Sequence, residues 1–255
     1  MRPIILATVD KAPYGAPSAG VVVEPSDGND IRRVLDGDKA PIHLTSYRLA
    51  SGTKLEWQRP ERCRTLFVQT GALLVEGRKF GPDSVIVVES GAHCVAEAGP
   101  NGAALHEFLH HRESSLHKGG KVHAVAGGDS PVTHHNGVES ALPADSSCPG
   151  CGVWLQDTFI RVEGRLVDPH SHTEDEVILV LEGEMLAGPR KLGPGSALSV
   201  AKNTVYSFTS GKGGLRFINY RPSRHYYVAH GSGEVRDERG IYADLGVTPG
   251  MHVLL

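Results

Sequence analysis

Residues 164 to 183 read Gly164-RLVDP-His170-Ser171-His172-TED-Glu176-VILVLE-Gly183, and the remainder of the chain is best read outward from them. His170, His172 and Glu176 share parity, so on a β-strand their side chains leave one face and come within reach of a single ion. Two imidazoles and one carboxylate suit a first-row divalent transition metal. With open positions they form the set that favours iron(II) and oxygen chemistry, which makes iron the favoured metal, with zinc, manganese, nickel and copper as alternatives. Beyond Glu176 the inward parity continues through Ile178 and Val180, while Val177, Leu179 and Leu181 are apolar on the other face. Both faces must therefore be covered, the outer one by a second sheet, the other half of the chain or a second subunit.

The order Gly, five residues, His-x-His, three residues, Glu, six residues, Gly resembles the first motif of the cupin superfamily without a gap. Farther on, Leu192-Gly193-Pro194-Gly195-Ser196-ALSVAKNTV-Tyr206-Ser207-Phe208 resembles the second cupin motif, with Tyr206 where that motif has a histidine. The resemblance implies a small β-barrel (jelly roll, or double-stranded β-helix) with His170, His172 and Glu176 as metal ligands in its mouth. It leaves the fourth ligand open. Tyr206 either ligates as a phenolate, holds a metal-bound water, works as an acid or base, or is a wall residue; it is the candidate catalytic residue.

Residues 52 to 93 repeat this design without its ligands. Gly52-TKLEW-Gln58-Arg59-Pro60-ERC-Arg64-TLFVQT-Gly71 keeps both framing glycines, but Gln58, Pro60 and Arg64 replace the histidines and the glutamate. Phe80-Gly81-Pro82-Asp83-SVIVVESGA-His93 repeats the second motif and keeps its histidine. One histidine beside an arginine does not assemble a usual metal site. The chain thus resembles a bicupin, all-β, with two tandem cupin barrels. A degenerate N-terminal barrel spans 1–110, a linker 111–152, and a C-terminal metal-binding barrel with a tail 153–255. The first barrel then serves as scaffold, or as a second pocket holding an anion on Arg64.

Composition agrees with this class. Thirty-one glycines and sixteen prolines separate short runs of Val, Ile, Leu and Thr, the pattern of an all-β sandwich or barrel. Lys plus Arg number 26 against 29 acids, a formal charge of −3, which leaves no electrostatic footprint for nucleic acid. No apolar run approaches the roughly 18 residues of a membrane span, and the opening MRPIILATVDKAPYG has too short an apolar segment for a signal peptide. A cytoplasmic protein with a small-molecule substrate, no nucleic-acid or membrane partner and room for a homodimer is the expectation.

The linker is rich in Gly, Ser, Pro and His, and Val122 to Ala126 is its best strand candidate. Cys148 and Cys151 have the C-x-x-C spacing of a zinc half-site or a redox pair, with His134 and His135 upstream as partners; adjacent histidines of an extended chain point oppositely, so free thiols in a turn are the preferred reading. Cys63 and Cys94 read as buried small hydrophobes, and four cysteines in 255 residues do not suggest a disulfide scaffold. Ile4 to Val9 reads as a strand covering an edge. In the tail, Arg224-His225-Tyr226-Tyr227 either closes a pocket mouth or, preferred, packs on the barrel exterior.

An apolar interior of Ile178, Val180, Phe208 and Phe217 around one metal suits a small organic molecule that binds through oxygen. The leading expectation is a metal-dependent oxidoreductase of dioxygenase type, since many cupins with this ligand set use oxygen. The alternative is a redox-neutral metalloenzyme, an isomerase, lyase or hydrolase on a small acid or sugar derivative, towards which Tyr206 adds weight. A non-catalytic ligand-binding cupin is the third.

Overall fold

The computed structural model describes residues 4–36, 39–110, 120–135, 137–148, 150–238 and 253–254. They contain β1 (Ile4–Thr8), β2 (Val21–Glu24), β3 (Asp30–Leu35), β4 (Ile42–Leu49), β5 (Lys54–Gln58), β6 (Arg64–Val75), β7 (Arg78–Phe80), β8 (Val85–Val88), β9 (His93–His110) and β10 (Val122–Val125). There follow β11 (Val132–His135), β12 (Val138–Asp145), β13 (Trp154–Ile160), β14 (Leu166–His172), β15 (Glu176–Ala187), β16 (Arg190–Leu192), β17 (Ser196–Val200), β18 (Tyr206–Arg221), β19 (Tyr226–Ala229), β20 (Val235–Asp237) and β21 (Val253–Leu254). Among the described residues no helix is long and apolar enough to cross a membrane.

The strands form two antiparallel sheets of repeated design. In the first, β9 pairs with β4, β5 and β6, and β6 passes the sheet on to β8. In the second, β18 pairs with β13, β14 and β15, and β15 passes it on to β17. The outer edge of β8 is covered by β10 and that of β17 by β1. The N-terminal strand thus closes an edge of the second sheet, and β21 returns to β10 in the first. Edge protection of this kind keeps unpaired backbone groups from other chains.

The local pattern explains these choices. Along β5, Leu55 and Trp57 are fully buried while Lys54 and Gln58 are exposed, the period of two expected of a half-buried strand. From Val177 to Val180 every residue of β15 is buried, because both of its faces are covered. The framing glycines Gly71 and Gly183 stand at equivalent points, with φ of +73° and +72°. A Cβ at either would come within 2.1 Å of the carbonyl oxygen of Gly102 or Gly214, so β6 and β15 cross their long partners only where no side chain intervenes.

The buried apolar residues divide accordingly. Leu55, Trp57, Leu66, Val68 and Leu105 fill the inside of the first half, and Ile178, Val180, Phe208, Leu215 and Phe217 that of the second. A third cluster joins the halves: Phe67, Val87 and Phe108 meet Val177, Leu179 and Tyr220, with the Phe108 and Tyr220 rings stacked at 4.9 Å. The outer face of β15 is covered by the first half of the same chain. Each large side chain removed from water there contributes about 1.5–3 kcal/mol. The segment read as linker holds β10 at the anticipated place, and β11 and β12, which join β13 in the second sheet.

Candidate functional site

His170 and His172 lie at the end of β14, and Glu176 opens β15. Parity alone would set all three on one strand. Thr173 to Asp175 instead turn the chain between two strands, and what brings the three side chains together is β18, which pairs with both. Its start sets Tyr206 opposite His170, and its end sets Asn219 opposite Ile178 and Tyr220 opposite Val177. The turn is fixed by Asp175, whose Oδ1 accepts from the Lys202 amide at 2.9 Å. Phe217, Asn219 and Arg221 alternate onto the inner face of β18, so two polar groups are sent into an apolar interior.

A cavity of about 280 Å³ opens here, with His170, His172, Tyr206, Phe208, Phe217 and Arg221 in its wall. His170 Nδ1 is 2.7 Å from the Asp168 carbonyl oxygen, which can only accept. Nδ1 therefore carries the proton and Nε2 the lone pair. Burial holds the His170 pKa below 6.5, so the ring is a neutral base. The ring stacks on Tyr227 at 4.9 Å and lies 4.3 Å from Tyr206.

Glu176 is the electrostatic centre of the cup. Tyr206 donates to its Oε2 at 2.5 Å, and Arg221 Nη2 donates to its Oε1 at 2.6 Å, which also accepts from Asn219 Nδ2. Arg221 Nη2 also donates to His172 Nε2 at 2.8 Å, and Nη1 donates to Glu238 Oε2 at 2.9 Å and lies 3.0 Å from His225 Nε2, which also meets Glu238 Oε2. Burial opposes the charge of Arg221, but Glu176 and Glu238 outweigh it and its pKa is raised. Burial, then the neighbouring Arg221, pushes His172 well below its ordinary value. Burial lowers His225 to about 2 and raises Glu238 to about 7. Tyr206 is held well above 10, by burial first and the Glu176 charge second.

Two groups of described residues lie close enough to hold a metal ion: His172, His225 and Glu238 in the cup, and Glu89, His123, Cys148 and Cys151 away from it. Of the expected set, His170 and His172 line the cavity and Glu176 is buried behind Tyr206 and Arg221; the three are not one of the groups of described residues close enough to share an ion. Arg221 Nη2 is seated between His172 Nε2 and Glu176 Oε1, and the other oxygen of Glu176 is taken by Tyr206. The alternative group in the cup shares the same guanidinium, since His172 turns the lone pair of Nε2 to it and His225 Nε2 lies against both the guanidinium and Glu238 Oε2. The cup residues as arranged fit a guanidinium rather than a dication.

Arg221 and Glu238 are not marked by any motif, and His225 belongs to the tail cluster expected on the barrel exterior, with a pocket mouth as the alternative. The tail placed on the exterior in fact buries His225, and Tyr227 lines the cavity. Residues 239–252, with the end of the charged stretch and the start of MHVLL, lie outside the described residues. In the first half, Gln58 pairs with His93, and His93 is 3.0 Å from Glu56 at the surface. Arg64 is buried 3.7 Å from Glu107, which also accepts from Tyr47 and Trp57 at 2.8 and 3.1 Å. Glu107 faces Leu66 as Asn219 faces Ile178, so Arg64 stands where Glu176 does and Asn219 where Glu107 does, with Arg221 two residues beyond Asn219.

No family model matches the sequence, and no curated protein is significantly similar to it. Solved structures are similar in fold. The oxalate decarboxylase of Lactobacillus farciminis in a formate complex superposes with a TM-score of 0.67 at 11% identity, over 96% of this chain and 94% of that one. A glyoxylate-induced protein from Pseudomonas aeruginosa gives 0.66 at 13% identity, over 86% and 88%. A variant of the Bacillus subtilis oxalate decarboxylase gives 0.68 at 12%, over 98% and 88%. At these identities the likeness is one of fold, and it is the all-β fold that the cupin resemblance implied.

Proposed function

We propose that the chain is an enzyme of redox-neutral acid–base chemistry, an isomerase, lyase or hydrolase, acting on a small organic acid or sugar derivative in the cup of the second sheet. The repeated strand pairing supports reading the two sheets as two tandem cupin barrels, of which the second carries the site. The observation that carries the functional reading is the buried contact of Tyr206 with Glu176 beside a neutral His170. His170, anchored through Nδ1, presents Nε2 as the general base for a proton on the substrate. The imidazolium so formed is favoured by the nearby Glu176 charge. Tyr206 keeps its proton at any working pH and turns its hydroxyl to the oxygen on which charge develops. When it does so, Glu176 retains Arg221 and Asn219 as donors, so the carboxylate is not left bare. Phe208 and Phe217 keep water from the reacting carbon. The fold neighbours named oxalate decarboxylases act, by that name, as lyases on a small acid, in agreement with this class.

A second reading is favoured by one observation. Arg221 Nη2 contacts both His172 Nε2 and Glu176 Oε1; were it displaced, His170, His172 and Glu176 would be the residues to hold a divalent metal, which would supply the oxygen chemistry of a dioxygenase-type oxidoreductase. One experiment separates the two. The protein is incubated with small hydroxy, keto and dicarboxylic acids in deuterated buffer and followed by proton NMR, with and without added iron(II) and oxygen. Metal-independent exchange or conversion, lost in His170→Ala and at least tenfold slower in Tyr206→Phe, supports the first reading. Turnover only with iron and oxygen consumption, enhanced in Arg221→Ala, replaces it with the second.

A further inference from the structure

Outside the cup, Cys148 and Cys151 meet two residues that are distant in sequence. Glu89 follows β8 and His123 lies on β10, and the pairing of those strands sets them side by side. Glu89 Oε1 is 2.6 Å from His123 Nε2, and Cys148 Sγ is 3.6 Å from each of these atoms. One ligand atom from each of the four residues, Cys151 included, lies within 4.8 Å of the others. Glu89, His123 and Cys151 are buried and Cys148 is half-buried.

We infer that Glu89, His123, Cys148 and Cys151 form a binding site for one divalent metal ion of the zinc class, which fastens the first sheet to the segment between β12 and β13 of the second. The donor set, two thiolates, an imidazole and a carboxylate, is one that a tetrahedral zinc site uses, and the C-x-x-C spacing supplies half of it. Metal–sulfur and metal–nitrogen bonds of about 2.3 and 2.0 Å at a tetrahedral centre set the two ligand atoms about 3.5 Å apart, close to the observed 3.6 Å. The His123 to Glu89 contact is that of a hydrogen bond and opens to about 3.3 Å when an ion replaces the proton.

The surroundings already orient the ligands. The Lys121 amide donates to Glu89 Oε2 at 3.0 Å, which leaves Oε1 to the site. The Gly152 amide donates to the Cys148 carbonyl oxygen at 2.9 Å and closes the turn between the cysteines. At Gly150 a Cβ would meet Glu89 Oε1 at 1.8 Å, so only glycine lets the carboxylate approach this turn. Second-sphere contacts of this kind fix the direction of metal ligands. Binding converts two thiols to thiolates and releases their protons, with no change of oxidation state.

The test uses the full chain, purified with thiols reduced, loaded with zinc and dialysed, with metal and free thiols counted. About one zinc per chain is expected in the wild type and in His170→Ala/Glu176→Ala, and at least a tenfold loss in Cys148→Ser/Cys151→Ser. Cobalt(II) loading of the wild type is expected to give an intense sulfur-to-metal charge-transfer band in the near ultraviolet, a readout that holds if the double serine variant does not fold. Zinc lost in the His170 variant but kept in the cysteine variant would assign the ion to the cup and overturn the inference. So would a reduced wild type that neither retains zinc nor shows the cobalt band, including one in which Cys148 and Cys151 serve only as a disulfide pair.

Discussion

Arg221 Nη2 lies 2.6 Å from Glu176 Oε1, with both side chains almost wholly withdrawn from solvent. Neither charge is tolerable there without the other, because desolvation of a lone ion costs more than the fold can spare. Arg221→Met is therefore expected to cost about 3–5 kcal/mol, and Glu176→Gln somewhat less because Glu238 still faces the guanidinium. The double variant should lose clearly less than the sum of the two. Urea unfolding of the four proteins reads the coupling, and strict additivity would mean that the pair does not act as a unit.

The repeated glycines give a stability contrast. Gly183→Ala places a Cβ 2.1 Å from the Gly214 oxygen in a left-handed conformation. Gly164, with φ of +76°, has nothing within 4 Å. Gly164→Ala is expected to lose only the conformational cost of about 1–2 kcal/mol, and Gly183→Ala distinctly more, since the crossing of β15 and β18 must open. Midpoints of thermal unfolding compare the two directly.

Much of this architecture is legible in the sequence, and its limits have physical causes. Alternation along Lys54 to Gln58 and the two-sided apolar run after Glu176 report burial, which is local. The framing glycines report a close crossing whose partner, Gly214, lies in another strand, so the need is visible and the partner is not. Arg221 was within reach, since Phe217, Asn219 and Arg221 share parity and a guanidinium inside an apolar strand calls for carboxylates. Its partner Glu238 comes from a tail whose path no periodicity sets. Likewise Cys148 pointed to His134 and His135 by proximity, while the register of β8 and β10 supplies Glu89 and His123. His134 instead lies 3.6 Å from Glu139 at the surface, and the His135 side chain lies outside the described residues.

His106 provides a pH signature apart from the cup. Burial brings it from 6.5 down to about 4, and its Nε2 is 3.1 Å from Gln69 Oε1. As pH falls from about 6.5 towards 4, the unfolded chain binds a proton that the folded one refuses. Stability is therefore lost across that window as pH falls, and is fully present above it, by about 3 kcal/mol at most. The difference between wild type and His106→Gln in urea unfolding, measured from pH 7.5 to 4.5, should narrow steadily on acidification. A difference independent of pH would show that His106 is not buried in its neutral form.

The stacked pair Phe108 and Tyr220 makes a claim about cooperativity. The cluster around it takes residues from both sheets, and β1 and β21 each cross to the other half, so each half relies on the other to cover part of its apolar surface. The two tryptophans are placed to report this, because Trp57 belongs to the interior of the first half and Trp154 packs on Leu142 in the second. In single-tryptophan proteins made by Trp154→Phe or Trp57→Phe, each corrected for its own stability by circular dichroism, fluorescence should follow one global transition. Phe108→Ala should lower both transitions together by about 3–5 kcal/mol. If it lowers the Trp57 transition and leaves that of Trp154 in place, the halves fold independently and the shared cluster is only a contact between finished domains.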